Sequence, residues 1–78
     1  MLRRSYWMSL IGSSMKRFRV VNSETHQEVI VDSVDELFYF LKDVYSDGIY
    51  HLVVWASMSE PGDCQDLTRE VPYVVYSI

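Results

Sequence analysis

The sequence predicts an α+β domain, in which one helix packs on one face of an antiparallel or mixed sheet of four to five strands. Three observations predict this class. Apolar side chains recur at helical spacing between Asp32 and Gly48, and short runs rich in Val, Ile and Tyr flank that stretch on both sides. The chain has 78 residues, which is enough for one small core. The expected element order is β-β-β-α-β-β, in a single domain spanning residues 1–78.

The helix is the element with the strongest sequence signal. Ser33 and Glu36 have the spacing of a capping box, in which two side chains bind backbone N–H groups at a helix start. Gly48 is expected to end the helix in the left-handed conformation. One stripe of the helix is apolar and consists of Val34, Leu37, Phe38, Leu41, Val44 and Tyr45. The opposite side carries Asp35, Glu36, Tyr39, Lys42, Asp43 and Ser46.

The segments before the helix predict two hairpins. Residues 4–11 alternate like a strand, with a helix as the competing interpretation, and would pair with residues 15–21 across a Gly-Ser-Ser turn. Residues 28–32 form a β-branched run that ends at the helix cap. Met15 would make a natural domain start, so residues 1–14 are either a strand or a dispensable N-terminal extension.

The segments after the helix predict two more strands. Residues 50–58, with the sequence YHLVVWASM, are apolar on both parities and therefore predict a central strand. Residues 59–70 predict a long solvated connection. Residues 71–78 predict a final strand, and Pro72 should lie at its start or on a sheet edge because proline lacks a ladder donor.

From Met15 onward, the expected order of hairpin, helix, strand, long loop and strand is similar to the β-grasp arrangement of ubiquitin-like domains. The resemblance implies a mixed sheet with the helix packed on one face. The chain ends in Tyr76, Ser77 and Ile78 rather than in a Gly-Gly tail, so conjugation to other proteins is not expected.

Cysteine content and hydropathy predict a cytoplasmic protein that does not enter a membrane. Cys64 is the single cysteine, which excludes an intramolecular disulfide and favours a reducing compartment. The apolar run at residues 6–12 is at the short limit for a signal peptide and well below the roughly 20 residues of a membrane span.

Charge is distributed unevenly along the chain. Residues 1–19 carry five basic residues and no acid, whereas residues 20–78 carry eleven acids against Lys42 and Arg69, a formal charge of −9. One interpretation is that the acids keep an aromatic-rich protein soluble. The other is that an acidic face binds a protein partner with a basic surface.

Catalytic and metal sites are not expected in this sequence. His26 and His51 have no serine or cysteine at a spacing typical of a nucleophile and its base. Cys64 follows an acid, which disfavours a reactive thiolate. Glu60, Asp63 and Asp66 in the 59–70 loop do not have the spacing of an EF-hand. We therefore predict a protein that is not an enzyme and that has no cofactor and no metal.

Direct nucleic-acid binding is also not favoured. Arg17, Phe18 and Arg19 mix charge and aromaticity, as single-strand binders do, but the remaining −9 would repel a polyanion. Arg17 and Arg19 are instead expected to face acids on the neighbouring strand.

These observations lead to one functional prediction and two alternatives. The prediction is a small acidic protein-binding module that blocks a nucleic-acid-binding protein by mimicking phosphate charge. In size and charge the chain resembles the small acidic inhibitors encoded by bacteriophages, including anti-CRISPR proteins. The alternatives are an assembly subunit that forms a homodimer through a sheet edge such as residues 71–78, and a nucleic-acid binder using the basic N-terminal hairpin. The predicted interface residues are Asp35, Glu36, Tyr39, Asp43, Glu60, Asp63 and Asp66.

Overall fold

The structure is a computed structural model, and it describes residues 16–78. The described part of the chain begins with a β-hairpin. Two helices follow the hairpin, and two further strands complete the fold. The elements are β1 Phe18–Asn22, β2 Glu28–Val31, α1 Val34–Leu41, α2 Ile49–Met58, β3 Cys64–Asp66 and β4 Tyr73–Ser77. The predicted α+β class and the four-stranded antiparallel sheet are therefore confirmed, with two helices in place of one.

The sheet has the order β2-β1-β4-β3, and all three strand pairs are antiparallel. Phe18 lies opposite Val31 on one side and Ser77 on the other. We call the end of the strands where Phe18 lies the Phe18 end of the sheet. The opposite end of the strands, where Asn22 lies opposite Tyr73, is the Asn22 end. The chain enters the sheet at the Phe18 end, and both β2 and β4 finish there.

The core lies between the sheet and the two helices. Alternate residues of β1, Phe18 and Val20, are almost fully buried, as the period of two in a strand requires. The Phe18 ring lies 6.1 Å from that of Trp55 on α2. The buried apolar cluster consists of Phe18, Val20, Val31, Leu37, Leu41, Ile49, Leu52, Ala56, Leu67 and Val75. Each large member contributes roughly 1.5–3 kcal/mol through its removal from water.

The start of α1 is the capping box that the sequence predicts. Ser33 Oγ accepts a hydrogen bond from the Glu36 amide at 3.1 Å, and Glu36 Oε1 accepts one from the Asp32 amide at 2.9 Å. Leu37 and Leu41 are buried, and Val34 and Phe38 pack against the core. The Ser33 bond satisfies a backbone donor that the helix start leaves unpaired, whereas in this variant of the box Glu36 holds the amide one residue before the cap instead of that of Ser33.

The end of α1 differs from the prediction. The helix stops at Leu41, and the turn that follows contains a Val44 amide bonded to the Leu41 carbonyl at 3.2 Å. Val44 is 52% exposed rather than buried, while Tyr45 still packs against the core. Gly48 precedes α2 instead of ending α1, with a φ of −106°. A side chain at position 48 would overlap the Tyr45 ring, which is the physical reason for a glycine there.

The predicted central strand at residues 50–58 is wrong, because these residues form α2. Ile49, Leu52 and Ala56 are buried and recur at helical spacing. Their pattern was hidden in the sequence, since the opposite side of the helix is also apolar. A run that is apolar on every side has no period from which helix and strand can be distinguished. The β-grasp element order is therefore also wrong after α1.

The C-terminal segments correct two further predictions. The 59–70 connection contains β3, a short strand that pairs with β4. β4 begins directly after Pro72, as expected, but it lies between β1 and β3 and is not an edge strand. The predicted strand at residues 4–11 and the dispensable segment 1–14 lie outside the described residues.

Candidate functional site

Four of the seven predicted interface residues lie at the Phe18 end of the sheet. The first turn of α1 is there because β2 finishes at Val31, two residues before the helix cap. The loop after α2 is there because its backbone pairs with Ser77: the Gly62 amide donates to the Ser77 carbonyl, and the Ser77 amide donates to the Asp63 carbonyl, both at 2.9 Å. We call the resulting group the acidic end: Asp35, Glu36, Glu60 and Asp63.

The structure places the other three predicted residues elsewhere. Tyr39 lies in the middle of α1, is 67% exposed, and has its ring 5.4 Å from that of Phe38. Asp43 follows the last turn of α1, which points toward the Asn22 end. Asp66 pairs with Val74, also toward the Asn22 end. The seven residues therefore do not form one continuous surface.

Two carboxylates of the acidic end are held by backbone hydrogen bonds. Glu36 Oε1 accepts from the Asp32 amide, and Asp63 Oδ2 accepts from the Glu60 amide, both at 2.9 Å. The side chains of Asp35 and Glu60 form no hydrogen bond with residues 16–78 and are exposed. A carboxylate has about four acceptor sites, so even Glu36 and Asp63 can still bind external donors.

Four of the five basic residues of the described chain contact groups other than the four carboxylates of the acidic end, and two of them, Lys16 and Arg17, lie at the same end of the sheet. Lys16 Nζ donates to the carbonyls of Ser57 and Ser59 at 2.8 and 2.7 Å, at the C-terminus of α2. This position is favourable for a cation because helix carbonyls carry negative partial charge. Each of the three ion pairs uses a different acid: Arg17–Asp32 at 3.1 Å, Arg19–Glu28 at 3.8 Å and Lys42–Asp43 at 3.3 Å.

Arg17 and Arg19 have the partners that the sequence predicts. Asp32 and Glu28 are the acids of the neighbouring strand and its end. The Arg19 guanidinium also lies 5.1 Å from the centre of the Tyr76 ring, a cation–π contact. Both arginines thus pair with acids of the domain, as exposed or half-exposed side chains. The rest of the basic hairpin lies outside the described residues.

Asp66 has a local structural role. Its carboxylate accepts hydrogen bonds from the hydroxyl and the amide of Thr68, and these bonds lower the pKa of the Asp66 carboxyl. At Tyr45, burial and the nearby Glu70 charge raise the pKa of the phenol. Neither group lies at the acidic end, so neither shift bears on its chemistry.

The structure also shows an apolar surface that the sequence interpretation missed. Tyr50, Val54 and Met58 lie on the outer side of α2 and are 74%, 58% and 74% exposed. We call these three residues the α2 stripe. Their spacing of i, i+4 and i+8 places them on one face of a helix, but a strand would also place them on one face, together with Leu52, so the spacing alone does not reveal the stripe.

Residues suited to catalysis or metal binding lie on separate elements. His26 is in the β1–β2 turn, His51 is on α2 and Cys64 is an exposed free thiol on β3. Within residues 16–78, no group of three His, Cys, Asp or Glu side chains could hold a metal ion. None of the helices in this same range is long and apolar enough to cross a membrane.

Comparison with protein-family models, with curated proteins and with solved structures finds no significant match to this chain.

Proposed function

We propose that the chain is a small, non-enzymatic module that binds a protein partner with a basic surface through its acidic end. The observation that supports this best is the convergence of Asp35 and Glu36 with Glu60 and Asp63, which are about 25 residues apart in sequence, at one end of the sheet. All four side chains are exposed. None of them is within ion-pair distance of a basic side chain of residues 16–78.

Fixed geometry favours binding at this end. The hydrogen bonds to the Asp32 and Glu60 amides restrain Glu36 and Asp63 before any partner arrives. A restrained side chain loses less conformational entropy on association, so more of the electrostatic attraction appears as affinity. The two groups of acids are attached near β2 and β3, which are three inter-strand spacings apart, or about 14 Å.

The excess charge strengthens the same argument. Residues 16–78 carry eleven acids and five basic residues, a formal charge of −6. Three acids are paired within the domain, and none of these three belongs to the acidic end. Lys16 and Arg17 also lie at the Phe18 end, but the acids there, with Asp32, number five, so the excess negative charge attracts a cationic surface and accelerates association with it.

In the most specific form of the proposal, the partner is a nucleic-acid-binding protein. The two groups of carboxylates would then occupy a basic groove that otherwise holds the phosphates of a nucleic-acid backbone. Inhibition of this kind is the activity of the phage-encoded acidic inhibitors that the chain resembles in size and charge. The partner is expected to release the module when duplex DNA or RNA competes for the groove.

The experiment compares three immobilised proteins in an extract of the natural host. The first is the wild type, and the second carries Asp35→Lys and Glu60→Lys, whose carboxylates form no hydrogen bond with residues 16–78. The third carries Glu24→Lys and Asp47→Lys, an equal change of charge on turns away from the acidic end. We expect the first and third proteins to retain the same basic partner and the second to lose at least tenfold in retained amount.

Two further measurements, retention at increasing salt and retention in the presence of duplex DNA, test whether the partner binds through charge. Retention by the wild type should decrease steeply between about 50 and 200 mM salt, as expected for charge-dominated contacts. Addition of duplex DNA should release the partner if the acidic end occupies a phosphate-binding groove. Equal retention by all three proteins would show that the acidic end is not the binding surface.

A further inference from the structure

The outer face of α2 has no partner within residues 16–78. Ile49, Leu52 and Ala56 bury the inner face, while the α2 stripe, Tyr50, Val54 and Met58, is exposed on the other side. The ten residues of α2 include no Asp, Glu, Lys or Arg. His51 and Ser57 are the polar residues of α2, and the rest of its outer side is an exposed apolar surface, which is typical of an interaction site.

We propose that the α2 stripe is the interface of a weak antiparallel homodimer. This inference does not depend on the acidic end or on its proposed partner. It also replaces the sheet edge at residues 71–78 as the surface for self-association, because β4 is paired on both sides.

The spacing within the stripe is self-complementary. A two-fold axis through Val54 would place Tyr50 of one copy opposite Met58 of the second copy, and the reverse. Residues four apart form a ridge on a helix, and a small offset of the axis to the side of Val54 lets each ridge lie in the groove beside the other. Thioether sulfur against an aromatic ring is a favourable contact, which suits the Tyr50 and Met58 pair. Ser57, beside the ridge, is small enough to let the helices approach closely.

Charge favours a second copy over a basic protein at this surface. A cationic partner would meet no carboxylate along the ten residues of α2, whereas two copies of α2 meet without like-charge repulsion. Lys16 binds the carbonyls at the C-terminus of α2, and Asp47 directly precedes its first turn at Gly48. In an antiparallel pair, the C-terminus of α2 in one copy, which carries Lys16, lies near the N-terminus of α2 in the other copy, which carries Asp47. These two charges are opposite in sign.

The available area predicts a weak dimer. Side chains of these sizes expose roughly 100–200 Å² each, so the stripe contributes about 400 Å² per copy. A standard stable interface buries about 800 Å² per partner. We therefore expect a dissociation constant on the order of 10–500 μM rather than a permanent dimer.

The first test is sedimentation equilibrium of the full chain from about 5 μM to 1 mM. The wild type should change from monomer to dimer over this range. Val54→Glu should remain monomeric at every concentration because it places two carboxylates together on the axis. Val44→Glu is the matched control: Val44 is 52% exposed but lies outside α2, so this variant should dimerise like the wild type. Circular dichroism checks that both variants are folded.

The second test uses disulfide formation to locate the axis. With Cys64→Ser as background, Val54→Cys should form a disulfide-linked dimer at least tenfold faster than Val44→Cys under the same oxidant. Facing helices 8–10 Å apart bring residues on the axis within the roughly 7 Å between Cα atoms that a disulfide allows.

Three outcomes would overturn the proposal: a wild type that stays monomeric to 1 mM, a Val54→Glu variant that dimerises like the wild type, or equal crosslinking at positions 54 and 44. A monomeric wild type would indicate that residues 1–15 or a different protein covers the stripe. Loss of the dimer in Val54→Glu with unchanged partner retention in the host extract would separate this interface from the acidic end.

Discussion

Individual carboxylates in this chain have two kinds of surroundings. Glu36, Asp63 and Asp66 each accept a backbone hydrogen bond that fixes a helix start or a turn. Asp35 and Glu60 form no hydrogen bond within residues 16–78 and act through their charge, which at Asp35 also favours the first turn of α1 by about 0.3–1 kcal/mol. Substitution at the first group therefore changes stability as well as binding, which is why the charge-reversal experiment uses the second group.

The Thr68 hydroxyl predicts a measurable pH effect at Asp66. Replacing it in Thr68→Val should raise the pKa of the Asp66 carboxyl toward the ordinary aspartate value, because one of the bonds that favour the ionised form is lost. A lowered carboxyl pKa stabilises the folded state above about pH 4 and loses that effect as pH falls through the folded-state pKa. The stability difference between wild type and variant should therefore shrink below about pH 4.

Titration of the Asp66 side-chain carbonyl by NMR measures this pKa directly, and urea denaturation from pH 2 to 7 measures its effect on stability. Thr68→Ser is the control, since it keeps the hydroxyl and should titrate like the wild type. Identical titration in the valine and wild-type proteins would contradict the assignment.

At the scale of elements, α2 determines how the rest of the chain is arranged. Its ten residues return the chain from the Asn22 end of the sheet to the Phe18 end, so that β3 can begin beside the end of β4. The Trp55 ring of α2 packs against the Phe18 ring of β1. Without this return, Glu60 and Asp63 would not reach the end of the sheet where α1 begins.

Two alanine substitutions distinguish helix from strand at residues 49–58. Leu52 is 2% exposed, so Leu52→Ala should lower the free energy of unfolding by about 2–5 kcal/mol. Val54 is 58% exposed, so Val54→Ala should change it by no more than about 0.5 kcal/mol, since alanine also has the higher helix propensity.

Urea denaturation at about 2 μM protein, below the expected dimer range, gives both values. In a strand, Leu52 and Val54 would lie on the same face and both substitutions would cost similar amounts. Comparable losses of unfolding free energy in Leu52→Ala and Val54→Ala would therefore contradict a helix at residues 49–58.

At the scale of the whole molecule, the described residues form a continuous buried core of their own. All ten buried apolar residues of the described chain lie between Phe18 and Val75. Lys16, which binds the C-terminus of α2, also lies beyond residue 14. The charge balance of the two parts is opposite, since residues 1–14 carry Arg3 and Arg4 and no acid, whereas residues 15–78 carry eleven acids and five basic residues.

Removal of residues 1–14 should therefore leave a protein that unfolds cooperatively and loses no more than about 1 kcal/mol of stability. Equilibrium urea denaturation of the shortened and full chains measures the difference, and an unchanged slope would show that the same surface is exposed on unfolding. A shortened chain without a cooperative transition would show that residues 1–14 are needed for folding. The full-length chain with Arg3→Ala and Arg4→Ala is the control for loss of charge alone.

The sequence by itself determined the elements that have a distinct local signal. The capping box at Ser33 and Glu36, the hairpin before it and the strand after Pro72 are all present, because caps, turns and alternating faces depend on neighbouring residues. The Arg17 and Arg19 pairs followed from the same hairpin register.

Only the tertiary structure decided the conformation of residues 49–58 and the position of the acidic residues relative to one another. A run that is apolar on all sides has no period, so its conformation depends on which neighbours are available to bury it. β4 takes the place beside β1 that a central strand would have needed, and the run packs as a helix over the core instead. That return of the chain brings two distant acidic segments to one end of the sheet and leaves Tyr50, Val54 and Met58 exposed, because both results depend on long-range packing that no local pattern specifies.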